Sequence, residues 1–279
     1  QWEIEDAKEG HHFDNPKNEV DVSRIQQDLY NQIPNLQRAY FAGGEPLITE
    51  DHYELLEEMI RVGRTDILLS YNTNLSKLKF KDKDLMDLWG RFSNRVQVYG
   101  SLDHFGDKAE YIRTGTKWEE VMKNYRTLLE SDVTQLSITT SVSIFNYGSL
   151  TSFFDYLIDQ NIAPWNEPNR GAWQINPIYG PEELSFQAMP LEMKEKISEQ
   201  HLEYFTTLKK LRKDPEHKIM FAQVEQLMRS IESLHVLAKS TDKWDQIQDR
   251  FINEVRKIDG RRGEDFKKVF PELAGLLLK

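Results

Sequence analysis

Residues 39–47 read AYFAGGEPL, a short aromatic run halted by two glycines, an acid and a proline. Leu36–Ala42 reads as a strand closed by Gly43-Gly44. After it, Glu50–Val62 sets Tyr53, Leu55, Leu56, Met59 and Ile60 along a helical stripe. The alternation then repeats. Asp66–Tyr71 (DILLSY) reads as a buried strand, Asp82–Phe92 as a helix, Arg95–Leu102 as a strand and Trp118–Leu129 as a helix. Gln135–Phe145 (QLSITTSVSIF), rich in Ile, Val and Thr, is the clearest strand. A helix over Ser149–Gln160 and a strand over Trp173–Ile178 close the series. Strands separated by helices at about thirty residues per unit are the pattern of a parallel α/β sheet or barrel. A helix near Val20–Ile33 comes before the first strand, and such a helix normally follows a strand of its own. The expected fold is therefore α/β, a partial (β/α) barrel lacking its first strand.

After Pro190 the character changes. Leu191–Arg212, Lys218–Ala238 and Asp242–Ile258 are long, charged and helically periodic, and Gly260 and Gly263 punctuate a last short segment, Glu264–Leu278. The expected division is a lead-in over 1–19, the partial barrel over 20–180 and a helical C-terminal extension over 181–279.

The chain has 279 residues and a net charge of −10. That balance disfavours nucleic acid as a partner, because phosphate binding calls for a basic face. The basic stretches Lys209–Lys213 and Arg261-Arg262 read as solvated helix faces. No apolar run approaches the ~18 residues of a membrane helix, so no membrane partner is expected. There is no cysteine, and hence no thiolate for zinc or iron–sulfur binding within these residues. The adjacent His11-His12 does not read as a metal pair, because sequence neighbours rarely point together, and no metal ligand is assigned. The six tryptophans read as core and interface anchors.

In parallel α/β barrels the chemistry sits at the C-terminal ends of the strands. That rule selects Gly43-Gly44-Glu45-Pro46 after the first strand and Asn72 and Asn74 after the second. It further selects Ser101 and Asp103 after the third, Ser141, Ser143 and Asn146 after the fourth, and Asn176 after the fifth. Two glycines let a ligand approach the backbone, Glu45 adds a carboxylate, and Pro46 fixes the exit direction. Each also has a plainer reading: Glu45 as a helix-cap acid, Asp103 as a turn former, Asn72 and Asn74 as caps, Arg113 as a surface ion-pair residue.

Taken in order, AYFAGGEPL (39–47), LSYNTN (69–74), SLD (101–103), YIRTG (111–115) and SVSIFN (141–146) resemble the radical S-adenosylmethionine (SAM) superfamily, most nearly the branch with SPASM or twitch extensions. The resemblance covers about Val20–Ile178 and, more loosely, RGEDFKKVFPEL (262–273). It implies SAM as cofactor and reductive cleavage of SAM to a 5′-deoxyadenosyl radical that abstracts hydrogen from an unknown substrate. It implies that Gly43, Gly44 and Glu45, with Pro46 fixing the turn, meet the SAM ammonium. Asn74, Ser101 and Asp103 would then suit the ribose diol and the amino-acid end, Arg113 the carboxylate, and Ser143 and Asn146 the nucleoside or substrate, with Asn72 counted among the cofactor-binding residues.

The superfamily's three-cysteine loop and its [4Fe–4S] cluster have no counterpart here. The expectation is a cluster-less piece of a longer enzyme, inactive alone, whose cluster belongs to the full-length protein. A catalytic residue is not assigned. The implied partners are a peptide or small-molecule substrate and an external electron donor, in the cytoplasm. Three alternatives remain: a SAM-binding or partner-binding paralogue without radical chemistry, a (β/α) acid–base enzyme using Glu45 and Asp103, and a helical interaction module formed by the tail after Pro190.

Overall fold

In the computed structural model, which describes residues 22–92, 95–162, 173–211 and 221–278, the β-branched and aromatic runs pair side by side as parallel strands. The five strands are β1 (Arg38–Phe41), β2 (Leu68–Thr73), β5 (Val96–Ser101), β6 (Thr134–Val142) and β7 (Trp173–Pro177), in the order β1-β2-β5-β6-β7. A small antiparallel pair, β3 (Lys79–Phe80) and β4 (Lys83–Asp84), lies between the second and third of them in sequence. His11-His12, Trp2, Trp165 and the stretch 212–220 lie outside the described residues.

Residues 1–36 and 37–279 form two compact units. In the first, α1 (Val22–Gln32) runs into a 3-10 turn, Ile33–Asn35, whose end is closed by the Leu36 amide donating to the Ile33 carbonyl at 3.1 Å.

The second unit holds the sheet. Its strand order never reverses, and right-handed crossovers then carry every connecting helix to the same side. Those helices are α2 (Glu50–Arg61), α3 (Leu85–Trp89), α4 (Gly106–Ile112), α5 (Trp118–Leu129) and α6 (Leu150–Asp159). The register divides the strand residues accordingly. Leu69 pairs with Val96, Tyr71 with Val98, and Ile138 with Trp173, and all of these are buried. Tyr71 stacks on Phe41 at 4.7 Å between centroids, lies 4.9 Å from Trp89, and its hydroxyl bonds His52 Nε2 at 3.0 Å.

The opposite face is polar on every strand. Its rows run Tyr40, Ser70, Gln97, Gln135, then Asn72, Tyr99, Ser137, then Ser101, Thr139, Gln174. Arg38, Tyr40, Gln135 and Gln174 are exposed, and Asn72, Gln97, Tyr99 and Ser101 half-buried. Parallel sheets are ordinarily covered on both faces by apolar packing, so a polar second face marks a surface built for something other than a core.

Three expectations shift. Asp82–Phe92 is not one helix: the β3–β4 pair takes its start, held by Lys79–Asp84 at 2.8 Å, and Asp84 caps α3 by accepting from the Met86 amide at 3.0 Å. The short helix α4 was not foreseen, because seven residues opened by a glycine carry too little periodicity. Gly260 does not break its helix; α9 (Trp244–Arg262) continues to Gly263, whose φ of +66° supplies the left-handed C-cap.

The C-terminal segments α7 (Leu191–Leu211), α8 (Phe221–Lys239), α9 and α10 (Phe266–Val269) belong to the same unit as the sheet. Phe145, at the end of β6, lies 5.6 Å from Phe270, 5.7 Å from Tyr111, 6.1 Å from Phe266 and 6.3 Å from Phe251. Lys194 is fully buried, its ammonium donating to the carbonyls of Gln187 and Thr241 at 3.0 and 2.5 Å.

Because Phe145 joins the strand end to the C-terminal segments, Phe145→Ala is expected to cost about 3–5 kcal/mol, read by urea denaturation. A second outcome concerns acid. Burial holds His52 and His104 down to about 4 and His201 down to about 3. Below the ordinary value of about 6.5 the unfolded chain binds protons that these rings refuse. Their stabilisation is therefore full above that value and is lost as pH falls through it, by up to about 1.4 kcal/mol per ring per pH unit. The urea midpoint should drop between about pH 7 and pH 5, and the drop should be shallower in His104→Asn.

Candidate functional site

The C-terminal edge of the sheet is assembled by hydrogen bonds between successive strand ends. After β1 the backbone turns through Gly43 and Gly44, with φ of +84° and +54°, and an added Cβ would meet nothing within 4 Å at either. Only glycine takes such a pair of conformations freely, and both residues are exposed. The turn aims Glu45 across the edge. Its Oε1 accepts from Thr73 Oγ1 at 2.6 Å and from the Leu47 amide at 3.2 Å, and its Oε2 accepts from the Asn74 amide at 2.8 Å. Pro46 is buried and opens the 3-10 turn Pro46–Ile48. Asn74 Oδ1 accepts from the Ser76 amide at 2.8 Å, which bends the chain away from β2. Asn72 stands half-buried on the polar face.

The end of β5 is fastened in the same way to β6. Asp103 is 3% exposed; its Oδ1 accepts from the Ser141 amide at 2.7 Å, and its Oδ2 lies 2.6 Å from Arg113 Nε. The Arg113 side chain is 31% exposed. It follows α4, which is held from outside: the Tyr111 hydroxyl donates to Asp259 at 3.0 Å, and Arg262 donates to the Tyr111 carbonyl at 3.0 Å. Asn146, fully buried, donates to the carbonyls of Asp103 and Ser141, both at 2.9 Å, and accepts from the Ser143 amide at 2.8 Å. The Ser143 hydroxyl accepts from the Phe145 amide at 3.2 Å. Ser101 is half-buried on the polar face, and Asn176, paired with Ser141, is exposed there.

The selected residues thus fall into two groups. Gly43, Gly44, Asn72, Ser101 and Arg113 offer surface to a ligand. Glu45, Pro46, Asn74, Asp103, Ser143 and Asn146 hold the edge in shape with most of their bonding capacity. Glu45 is bonded to two main-chain amides and Thr73, and Asp103 to one amide and paired with Arg113, which argues against the two serving as a free acid and base. Among the described residues no group of three His, Cys, Asp or Glu side chains could hold a metal ion.

Sequence reasoning placed Thr73 at the second strand's end but gave it no role, although it donates to Glu45, and it passed over Gln97 and Tyr99, which fill the polar face. The signal was present in β5, where Gln97, Tyr99 and Ser101 alternate with Val96, Val98 and Gly100. A strand in the middle of a parallel sheet has no reason to alternate unless one of its faces is polar.

No protein-family model matches the chain, and neither does any curated protein sequence. Among solved structures it is similar to native anSMEcpe with bound AdoMet, at 15% identity and a TM-score of 0.45, covering 66% of this chain and 51% of that one. It is also similar to SuiB of Streptococcus suis, at 15% identity and a TM-score of 0.44, covering 66% of this chain and 40% of that one. The chain spans about half or less of the length of these structures. Likeness of this size decides neither family nor activity. No helix among the described residues is long and apolar enough to cross a membrane.

The edge bonds give two expected outcomes. Glu45→Gln would set an amide NH2 against the Asn74 or Leu47 N–H, costing about 1–3 kcal/mol and speeding hydrogen exchange at the Asn74 amide. Asn146→Asp would replace the donor to two carbonyls by a buried carboxylate. It should cost more than Glu45→Gln in the same urea experiment.

Proposed function

We propose that residues 37–178 form the SAM-binding sheet of a radical SAM-type protein. The observation that supports this most is the placement of the motifs. GGEPL, the Thr73-Asn74 end, the Ser101–Asp103 end and Ser141–Asn146 occur in sequence order on four adjacent parallel strands. Their bonded ends lie along one edge, beside a polar face.

The residues present fit SAM in chemical type. The open, left-handed Gly43-Gly44 turn lets a ligand approach the backbone, where carbonyls would accept from the ammonium. Arg113, held through Nε by Asp103, would offer its remaining guanidinium donors to the SAM carboxylate. The Ser101 hydroxyl and the Asn72 amide would serve the ribose diol. In this arrangement Glu45 and Asn146 act at one remove, setting the spacing of the strand ends. SAM bound by such residues supplies a sulfonium carbon activated for cleavage.

An iron–sulfur cluster does not fit. The chain contains no thiolate, and no step through a cluster is derived. Any cluster ligands would have to come from outside these 279 residues. Hydrogen abstraction from a peptide or small-molecule substrate, with an external electron donor, is therefore proposed only where cluster ligands are supplied from outside these residues.

Titration calorimetry with SAM tests the reading. The chain should bind SAM saturably, and Gly43→Val and Arg113→Gln should each weaken binding by about tenfold or more, the loss of roughly one charge-assisted contact. Arg91→Gln, an exposed change in the 3-10 turn after α3, should leave it unaltered. The absence of saturable SAM binding in the folded chain would overturn the reading.

A further inference from the structure

The polar face carries one formal charge. Of the side chains that the five strands project from it, only Arg38 is ionised; the others are amides, hydroxyls and phenols, apart from Leu68, which stands beside Arg38 on β2. Arg38 is exposed, yet its guanidinium is anchored. Nε donates to Ser70 Oγ at 3.2 Å, Ser70 Oγ donates to Gln97 Oε1 at 3.3 Å, and Gln97 Nε2 donates to Gln135 Oε1 at 3.2 Å. This ladder crosses from β1 through β2 and β5 to β6. The two terminal nitrogens of Arg38 have no partner among the described residues; Arg91, Arg95 and Arg256 form no ion pair either, but only Arg38 stands on the polar face of the sheet, fixed there through Nε. An exposed cation in a chain of net charge −10, held in a fixed pose by the buried Ser70 at the β1 margin of the polar face, is arranged to receive something negative.

We propose that Arg38 is the subsite for the carboxylate of a second ligand, one that lies along the polar face below the strand ends; this rests on the reading of those ends as the SAM site. With Nε committed to Ser70, the terminal nitrogens present an end-on fork, which matches the two oxygens of a carboxylate. One guanidinium compensates one charge, and the face holds no second cation for a phosphate dianion. The neighbouring Gln97, Gln135 and Tyr40 side chains suit a ligand with neutral hydrogen-bonding groups. The position also sets a length. Ser70 stands three residues before the end of β2 at Thr73, so the carboxylate would sit roughly 10 Å below the strand ends at about 3.3 Å per residue.

The test uses the whole chain with N-acetylglycine, a monocarboxylate bearing one amide, and inorganic phosphate as the comparison. The Arg38 Nε–H resonance, sharpened by its bond to Ser70, is followed by 1H–15N NMR. N-acetylglycine should shift it saturably, and phosphate should bind more weakly. Arg38→Gln should weaken N-acetylglycine binding at least about tenfold, as the loss of a charge-assisted fork predicts, and Ser70→Ala should weaken it less. Arg38 is exposed, so the variant should fold, which its urea midpoint checks. SAM affinity should be the same in Arg38→Gln as in the unaltered chain, with and without N-acetylglycine.

A linear, unsaturating shift, tighter binding of phosphate, undiminished binding in Arg38→Gln, or competition between SAM and N-acetylglycine would each overturn the proposal. If SAM fails to bind while N-acetylglycine still saturates Arg38, the SAM reading alone is lost.

Discussion

A parallel sheet whose strand order never reverses has two unlike faces, and most of this structure follows from that constraint. Right-handed crossovers send α2 through α6 to one side. The strand residues facing them must be apolar, as Leu69, Tyr71, Val98, Ile138 and Trp173 are. The other side receives no crossover helix. Its residues are free to be Gln97, Tyr99, Ser101 and Ser137, and that choice gives the sheet a surface suited to polar ligands. A doubly wound sheet of the same five strands would have had to bury both faces and could not have kept this one.

The same constraint shapes the C-terminal edge. Strands that end together leave amides and carbonyls unpaired where the chain departs for its helix, and each must find a partner. The chain meets that need with Glu45 for β2, Asp103 for β6, and Asn146 for the carbonyls of Asp103 and Ser141. These polar side chains are half-buried or buried because they replace the ladder that stops there. Their presence in the motifs therefore has a structural cause first. The rigid edge they create leaves the Gly43-Gly44 backbone, Ser101, Asn72 and Arg113 partly exposed, which are the groups the proposed SAM site would use.

Much of this was legible in the sequence, for reasons that differ by element. Gln135–Phe145 could hardly be read otherwise, since its β-branched density settles the backbone locally. Asp82–Phe92 misled because its apolar spacing is helical while Asp84, by capping at Met86, delays the helix by three residues. The strand ends were located to within a few residues from the glycine, proline and amide signals: the strand read as Gln135–Phe145 stops at Val142, and the one read as Asp66–Tyr71 runs on to Thr73. What those side chains touch was not readable, because Glu45 meets Thr73 across 28 positions and Asp103 meets Ser141 across 38. Contacts of that separation depend on register, and register is decided by the whole sheet.

The edge and the C-terminal segments are also mechanically joined, at α4. This helix of seven residues is too short to hold its own place. Asp103 anchors it before its start through the β6 amide, and Arg113 is tied back to Asp103 after its end. Between them Tyr111 takes a bond from Arg262 on its carbonyl and gives one to Asp259 from its hydroxyl. Its ring meets Phe270 edge-on at 5.2 Å. The Arg113 guanidinium at the C-terminal edge is thus positioned as much by residues 259–270 as by the strand it follows. Arg262 and the phenylalanines of residues 262–273 brace the helix that carries Arg113 into the edge. A C-terminal segment with that task has to keep its register with the sheet, which the Phe145 cluster enforces through van der Waals packing.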